Sequence, residues 1–167
     1  MDVDIDRPYD GKWSRDVANL PFALKQIQGK HAHLKDAEIR RIRRAFYALC
    51  THIDHQLRVV IGTLREEGLL DDTIILFTSD HGDMLGNHGL WAKRLYYERA
   101  ANVPMILVGG RDGRVPHHAV DERLVGWQDV MPTLLDLADI EVPDSVEGLS
   151  MVGDARRSAL YGECGED

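Results

Sequence analysis

Apolar residues first acquire a regular spacing beyond Asp36. Phe46, Leu49, Ile53, Leu57, Val60, Ile61 and Leu64 recur at steps of three and four, which places them on one face of an α-helix. Asp36 is the expected N-cap, Glu38 suits the positive end of the helix dipole, and Gly68 is the expected stop. A long helix with one buried stripe is therefore predicted over 37–67. After the turn Leu69-Leu70-Asp71-Asp72 the run Thr73-Ile74-Ile75-Leu76-Phe77-Thr78 is apolar without alternation, the pattern of a strand buried on both faces. Met105-Ile106-Leu107-Val108, ending at Gly109-Gly110, predicts a neighbouring strand. Asp129 is placed to cap a helix running to Ala138, with Pro132 tolerated in its first turn and Met131, Leu134, Leu135 and Ala138 as its buried face. A short strand is expected at Ala159-Leu160-Tyr161. Residues 1–35 carry no sustained period, and Arg7-Pro8-Tyr9-Asp10-Gly11 reads as irregular chain. The organisation expected is an irregular lead-in over 1–35 and an α/β layered unit over 36–167.

Composition narrows the function classes. The formal net charge of −8 argues against a nucleic-acid partner, because phosphate binding needs a clustered basic face. Arg40, Arg41, Arg43 and Arg44 form the one dense basic cluster. Its helical setting beside acidic residues predicts a solvated helix face. No apolar run approaches the ~20 residues a membrane helix needs, so no membrane partner is expected. The acidic start Met1-Asp2-Val3-Asp4-Ile5-Asp6 lacks the charged-then-apolar order of a secretory signal. Cys50 and Cys164 are too far apart in sequence to suggest a metal-type pair.

The chemistry concentrates where the first predicted strand ends, in Thr78-Ser79-Asp80-His81-Gly82-Asp83-Met84-Leu85-Gly86-Asn87-His88-Gly89-Leu90-Trp91-Ala92-Lys93. Ligands of open α/β sheets bind at the carboxyl ends of strands. Asp80 and His81 offer an oxygen and an imidazole nitrogen side by side, and Gly82, Gly86 and Gly89 permit sharp turns and close approach. Such donors suit a divalent cation: an oxygen-dominated shell favours Ca²⁺ or Mg²⁺, and more imidazole favours Mn²⁺ or Zn²⁺. Lys93 could supply positive charge to an anionic substrate oxygen, and His88 a hydrogen bond or a proton. The same residues also admit a plainer account, in which Asp80 caps a turn, His81 bonds a neighbouring carbonyl and Lys93 lies on the surface.

Thr73 to Asp83, followed by His88-Gly89-Leu90-Trp91-Ala92-Lys93, resembles the second signature region of the type I sulfatases, within the alkaline phosphatase superfamily. More narrowly it resembles the branch with Asp-His in place of Asp-Asn, which includes iduronate and choline sulfatases and phosphonate monoester hydrolases. The likeness continues through Glu98 to Ile106 and Trp127 to Ala138, and covers most of residues 40–150. It implies a layered sandwich with a central, mostly parallel sheet flanked by helices. It implies that Asp80 and His81 are metal ligands, that Lys93 contacts sulfate or phosphate oxygens, and that His88 is a family histidine of the same loop. It further implies a divalent metal, Ca²⁺ first and Mn²⁺ or Zn²⁺ in phosphonate hydrolase relatives, and a small anionic ester as substrate, a sulfate ester ahead of a phosphonate.

The family's nucleophile stands in Cys-x-Pro-x-Arg or Ser-x-Pro-x-Arg, and no cysteine or serine of this chain has that context. Paired N-terminal aspartates that complete the metal shell are also missing. Asp71-Asp72 sits in the turn before the strand and is expected to be solvated. His31 and His33 are expected to be exposed loop residues, as are His117 and His118, and Glu163 resembles a family Gly-Glu segment. The expectation is a C-terminal part of a sulfatase, inactive alone, whose partner is the missing N-terminal half. A phosphonate or phosphate ester hydrolase fragment and a non-catalytic sulfatase-like module are the alternatives.

Overall fold

The computed structural model describes residues 34–162, apart from Arg94 and Asp112. Residues 1–33 of the predicted lead-in, with His31 and His33 among them, and Glu163 and Cys164 lie outside the described residues. The described chain forms two compact units, one from 34–66 with 81–104, the other from 67–80 with 105–162.

The first unit is led by α1, Asp36–Glu66. Its start differs from expectation by one position. Lys35, not Asp36, is the cap residue: its carbonyl accepts from the Glu38 and Ile39 amides, and the Glu38 carboxylate reaches back to the Lys35 amide at 2.7 Å. This return bond is half of a capping box. Gly68, at φ +69°, ends the helix in the left-handed region as predicted. The apolar stripe is only partly covered: Leu49 is 63% exposed, Ile53 52% and Val60 55%. The buried residue of α1 is instead Arg43, whose Nε donates to the Leu85 carbonyl at 2.7 Å. This corrects the solvated-face reading for Arg43, whereas Arg41 and Arg44 are exposed as expected. The cause is tertiary: folding brings a strand carbonyl within its reach, and a guanidinium can be buried once such an acceptor satisfies it. Strands β2 (Met84–Leu85) and β3 (Trp91–Ala92) pair antiparallel, Met84 opposite Ala92 and Leu85 opposite Trp91. Met84, Leu90 and Ala100, the last from the short helix α2 (Glu98–Ala101), form the core of this unit, with Leu95 and Tyr97 packed on it.

In the second unit β1 (Ile75–Thr78) pairs antiparallel with β4 (Met105–Val108), Ile75 opposite Val108 and Thr78 opposite Met105. Both predicted strands are present. Among the described residues, however, every pairing is antiparallel, and β4 leaves Ile106 and Val108 about half exposed. The parallel central sheet is therefore not seen in these residues, because each of the two sheets contains only a pair of strands. Helix α3, Val130–Leu137, is also present, but it turns a different face inward. Pro132, Thr133 and Leu137 are buried, while Met131 is 50% and Leu134 43% exposed. The helix is docked by polar anchors at four-residue steps, Asp129 and Thr133, with Leu137 completing the row. The Asp129 carboxylate accepts from the Gly126 and Leu149 amides at 2.8 Å each and from Arg157 through two bonds of 3.0 and 2.6 Å. Thr133 Oγ1 donates to the Asp129 carbonyl and accepts from the Met151 amide at 2.9 Å. Gly148 is required by the same contact, since a Cβ there would run into the Gln128 carbonyl. At the far end, Arg114 donates to the Asp136 and Leu137 carbonyls at 2.8 Å each, closing the helix C-terminus. Arg123 ties Asp121 to the Met151 and Gly153 carbonyls. Its hydrogen bond holds the Asp121 carboxyl below its ordinary pKa, and Asp121 in turn raises that of Arg123. The expected strand at 159–161 is absent, and these residues are exposed coil.

Candidate functional site

The predicted site residues fall in both units. Asp80 is the last residue of the first stretch of the second unit, two residues beyond the end of β1, and its side chain is exposed. Ser79, between them, has its carbonyl outside the β1–β4 ladder, where it accepts from the Trp127 indole Nε1 at 2.7 Å. Its hydroxyl is 3.5 Å from Asp80 Oδ1.

His81, His88 and Lys93 belong to the first unit. His81 is half-buried, and its Nδ1 lies 2.9 Å from the Gly82 carbonyl. A carbonyl only accepts, so Nδ1 is the donor in this contact, and an imidazole held in this way ligates metals through its other ring nitrogen. Gly82 is packed against α2, with its amide donating to the Ala100 carbonyl at 2.8 Å. A Cβ at this position would strike the Arg99 carbonyl oxygen.

The β2–β3 hairpin then carries the other two. Gly86, His88, Gly89 and Ala92 all have positive φ, from +56° to +87°. For the two non-glycine residues this conformation costs about 1–2 kcal/mol each. Strain of this kind accumulates where a loop must hold a set geometry for function. His88 stacks on Tyr97, with ring centroids 5.1 Å apart and planes 30° from parallel. Lys93, directly after left-handed Ala92, is exposed. Tyr97 and Trp127, which brace this loop and the strand end, were not singled out from the sequence. A lone aromatic beside a turn carries no periodic signal, and only a fold shows what it touches.

Among the described residues no three His, Cys, Asp or Glu side chains gather closely enough to hold a metal. Asp71 and Asp72, on a 3-10 turn, are exposed and pair with Arg111 at 3.4 and 3.7 Å. His117 and His118 are exposed, as expected. No helix among the described residues is long and apolar enough to cross a membrane.

A profile of the sulfatase family matches residues 8–140, a stretch that includes every candidate above. This chain belongs to the sulfatase family. It is 39% identical over 158 residues to an arylsulfatase of Clostridium perfringens, covering 90% of this chain and 31% of that protein. It is 42% identical over 120 residues to a choline-sulfatase of Rhizobium meliloti, covering 70% and 23% respectively. The structure is similar to that of a phosphonate monoester hydrolase from Silicibacter pomeroyi, with a TM-score of 0.67 and 35% identity over 77% of this chain and 26% of that one. The chain thus spans less than a third of the length of each of these relatives.

Proposed function

We propose that this chain is the C-terminal part of the catalytic domain of a metal-dependent sulfuric ester hydrolase. The observation that carries the reading is the family match across residues 8–140, which takes in the strand end and the hairpin loop together. In this reading Asp80 and His81 Nε2 hold a divalent metal, Ca²⁺ first and Mn²⁺ or Zn²⁺ as alternatives. The donors are compatible with that role: an exposed carboxylate and a half-buried imidazole whose Nδ1 proton is already committed to a carbonyl. Two donors are fewer than the six to eight Ca²⁺ takes, so further ligands are to come from sequence beyond these residues. When bound, the metal supplies Lewis-acid polarisation of the ester oxygens.

Lys93 brings an ammonium to the same oxygens and neutralises charge that grows in the transition state. In this reading His88, which stacks on Tyr97, donates a hydrogen bond or a proton at an ester oxygen. No serine or cysteine of the 167 residues stands in the formylglycine motif, so the nucleophile is assigned to the missing N-terminal half. The parallel sheet flanked by helices is proposed for the completed domain. The substrate class is a small anionic ester. A phosphonate ester hydrolase is the second reading, favoured by the structural likeness to such an enzyme. A non-catalytic module remains the alternative outside catalysis.

The test is co-expression with the N-terminal two-thirds of an arylsulfatase relative, followed by assay on an aryl sulfate and an aryl phosphonate ester. Sulfate turnover is expected, absent from either piece alone. Lys93→Ala is expected to lower kcat/KM about 10²–10³-fold. Faster phosphonate turnover would select the second reading, and an unchanged Lys93→Ala would remove the lysine from the mechanism. Turnover by the present chain alone would overturn the split.

A further inference from the structure

We infer that Arg43 is a positioning residue that seats the β2–β3 hairpin on α1 and so sets where His88 and Lys93 stand. The inference draws on no metal; its consequence for turnover rests on the reading of Lys93 as the residue that meets the ester oxygens. The hairpin has little of its own to hold it. Each strand is two residues long, and the ladder consists of Met84 opposite Ala92 and Leu85 opposite Trp91. A two-stranded hairpin of this kind is marginal by itself in water. The loop closes on itself, the Gly86 amide donating to the Leu90 carbonyl and the Leu90 amide to the Asn87 carbonyl, each at 2.9 Å. Packing of Met84 and Leu90 with Ala100 holds the hairpin to the unit, but apolar packing is non-directional and does not fix its orientation.

The directed contact comes from α1. Arg43 is 5% exposed, and its Nε donates to the Leu85 carbonyl at 2.7 Å, a short bond for N–H···O. Ile39, one turn earlier on the same helix face, faces the next residue: a Cβ at Gly86 would stand 3.5 Å from Ile39 Cγ2 and 3.1 Å from the Trp91 ring. Leu85 is the point from which both functional residues are reached. His88 follows it in the loop, and its ladder partner Trp91 leads through Ala92 to Lys93. Burying a guanidinium is costly, and an apolar side chain of similar volume would fill the same space at less cost. Direction explains its presence here, since an N–H bond sets angle as well as distance.

The experiment is hydrogen exchange of the full chain by NMR. The Gly86 and Leu90 amides report on the hairpin, and the Gly82 amide, which donates to the Ala100 carbonyl in the same unit, is the reference. In Arg43→Met, which keeps an apolar stem but loses the donor, Gly86 and Leu90 are expected to exchange about tenfold faster relative to Gly82. Arg43→Lys, whose ammonium can still donate, should recover part of that protection. Equal acceleration of all three amides would make Arg43 a stability residue alone and overturn the inference. If Arg43→Met fails to fold, the wild type decides: the Arg43 Nε–H should be protected, and exchange as fast as at the exposed Arg41 refutes the seat. In the enzyme co-expressed with its N-terminal part, Arg43→Met should lower kcat about tenfold and add nothing once Lys93 is replaced by alanine. Full additivity of the two changes overturns the positioning of Lys93. Absence of turnover in the co-expressed wild type counts against the catalytic reading alone, because the exchange rates test the seat without it.

Discussion

Removal of the Asp129 carboxylate should be the most damaging single change in the second unit. Its two oxygens receive four hydrogen bonds, from the Gly126 and Leu149 amides and twice from Arg157. Asp129 is 1% exposed and the Arg157 side chain 14%, so water cannot readily replace what is lost. Asp129→Ala leaves a guanidinium without its counter-ion, for which breaking a buried pair costs about 3–5 kcal/mol. The orphaned amides push the value toward the upper end of that range. A loss of about 4 kcal/mol lowers the folded-to-unfolded ratio by roughly a thousandfold. Urea unfolding followed by far-UV circular dichroism and by indole fluorescence would measure it, with Trp127 reporting on this unit. The double variant Asp129→Leu with Arg157→Met should recover the part due to the stranded charge but not the part due to the amides. A midpoint for Asp129→Ala corresponding to less than 1 kcal/mol of destabilisation would refute the view that this carboxylate anchors α3.

Two further outcomes follow from the first unit. Arg43→Ala should destabilise by about 2 kcal/mol in thermal or urea unfolding, since a charged donor to the Leu85 carbonyl is lost; the exposed neighbours Arg41→Ala and Arg44→Ala should stay within about 0.5 kcal/mol, and equal effects at all three would restore the solvated-face reading. Ala92→Gly should stabilise by about 0.5–1 kcal/mol, because relief of the left-handed strain at φ +65° exceeds the added entropy of the unfolded chain. A lower melting temperature for Ala92→Gly would show that Ala92 is not strained.

The segments with strong local signals were legible in the chain itself. α1, β1, β4 and α3 lie where their apolar runs placed them, although Lys35 and not Asp36 caps α1 and the Asp129 side chain makes no cap bond to α3. The Thr78–Lys93 segment was legible through its resemblance to the sulfatases, whose profile covers it. These features depend on neighbours in sequence, on glycine's access to positive φ, and on matches of residue type. Which faces are covered and which strands pair were not legible. Hydrophobicity alone selected Met131 and Leu134 as the buried face of α3, but Asp129 and Thr133 occupy it because backbone amides and Arg157 from distant segments satisfy them. Likewise Arg43 is buried by a carbonyl 42 positions away, and Trp127 meets Ser79 across 48. A polar side chain can be buried only where a partner waits for it. Sequence by itself determined α1, β1, β4 and α3 and the family. Only the tertiary structure decided which polar groups found partners, because those partners are brought close by folding and not by the order of residues.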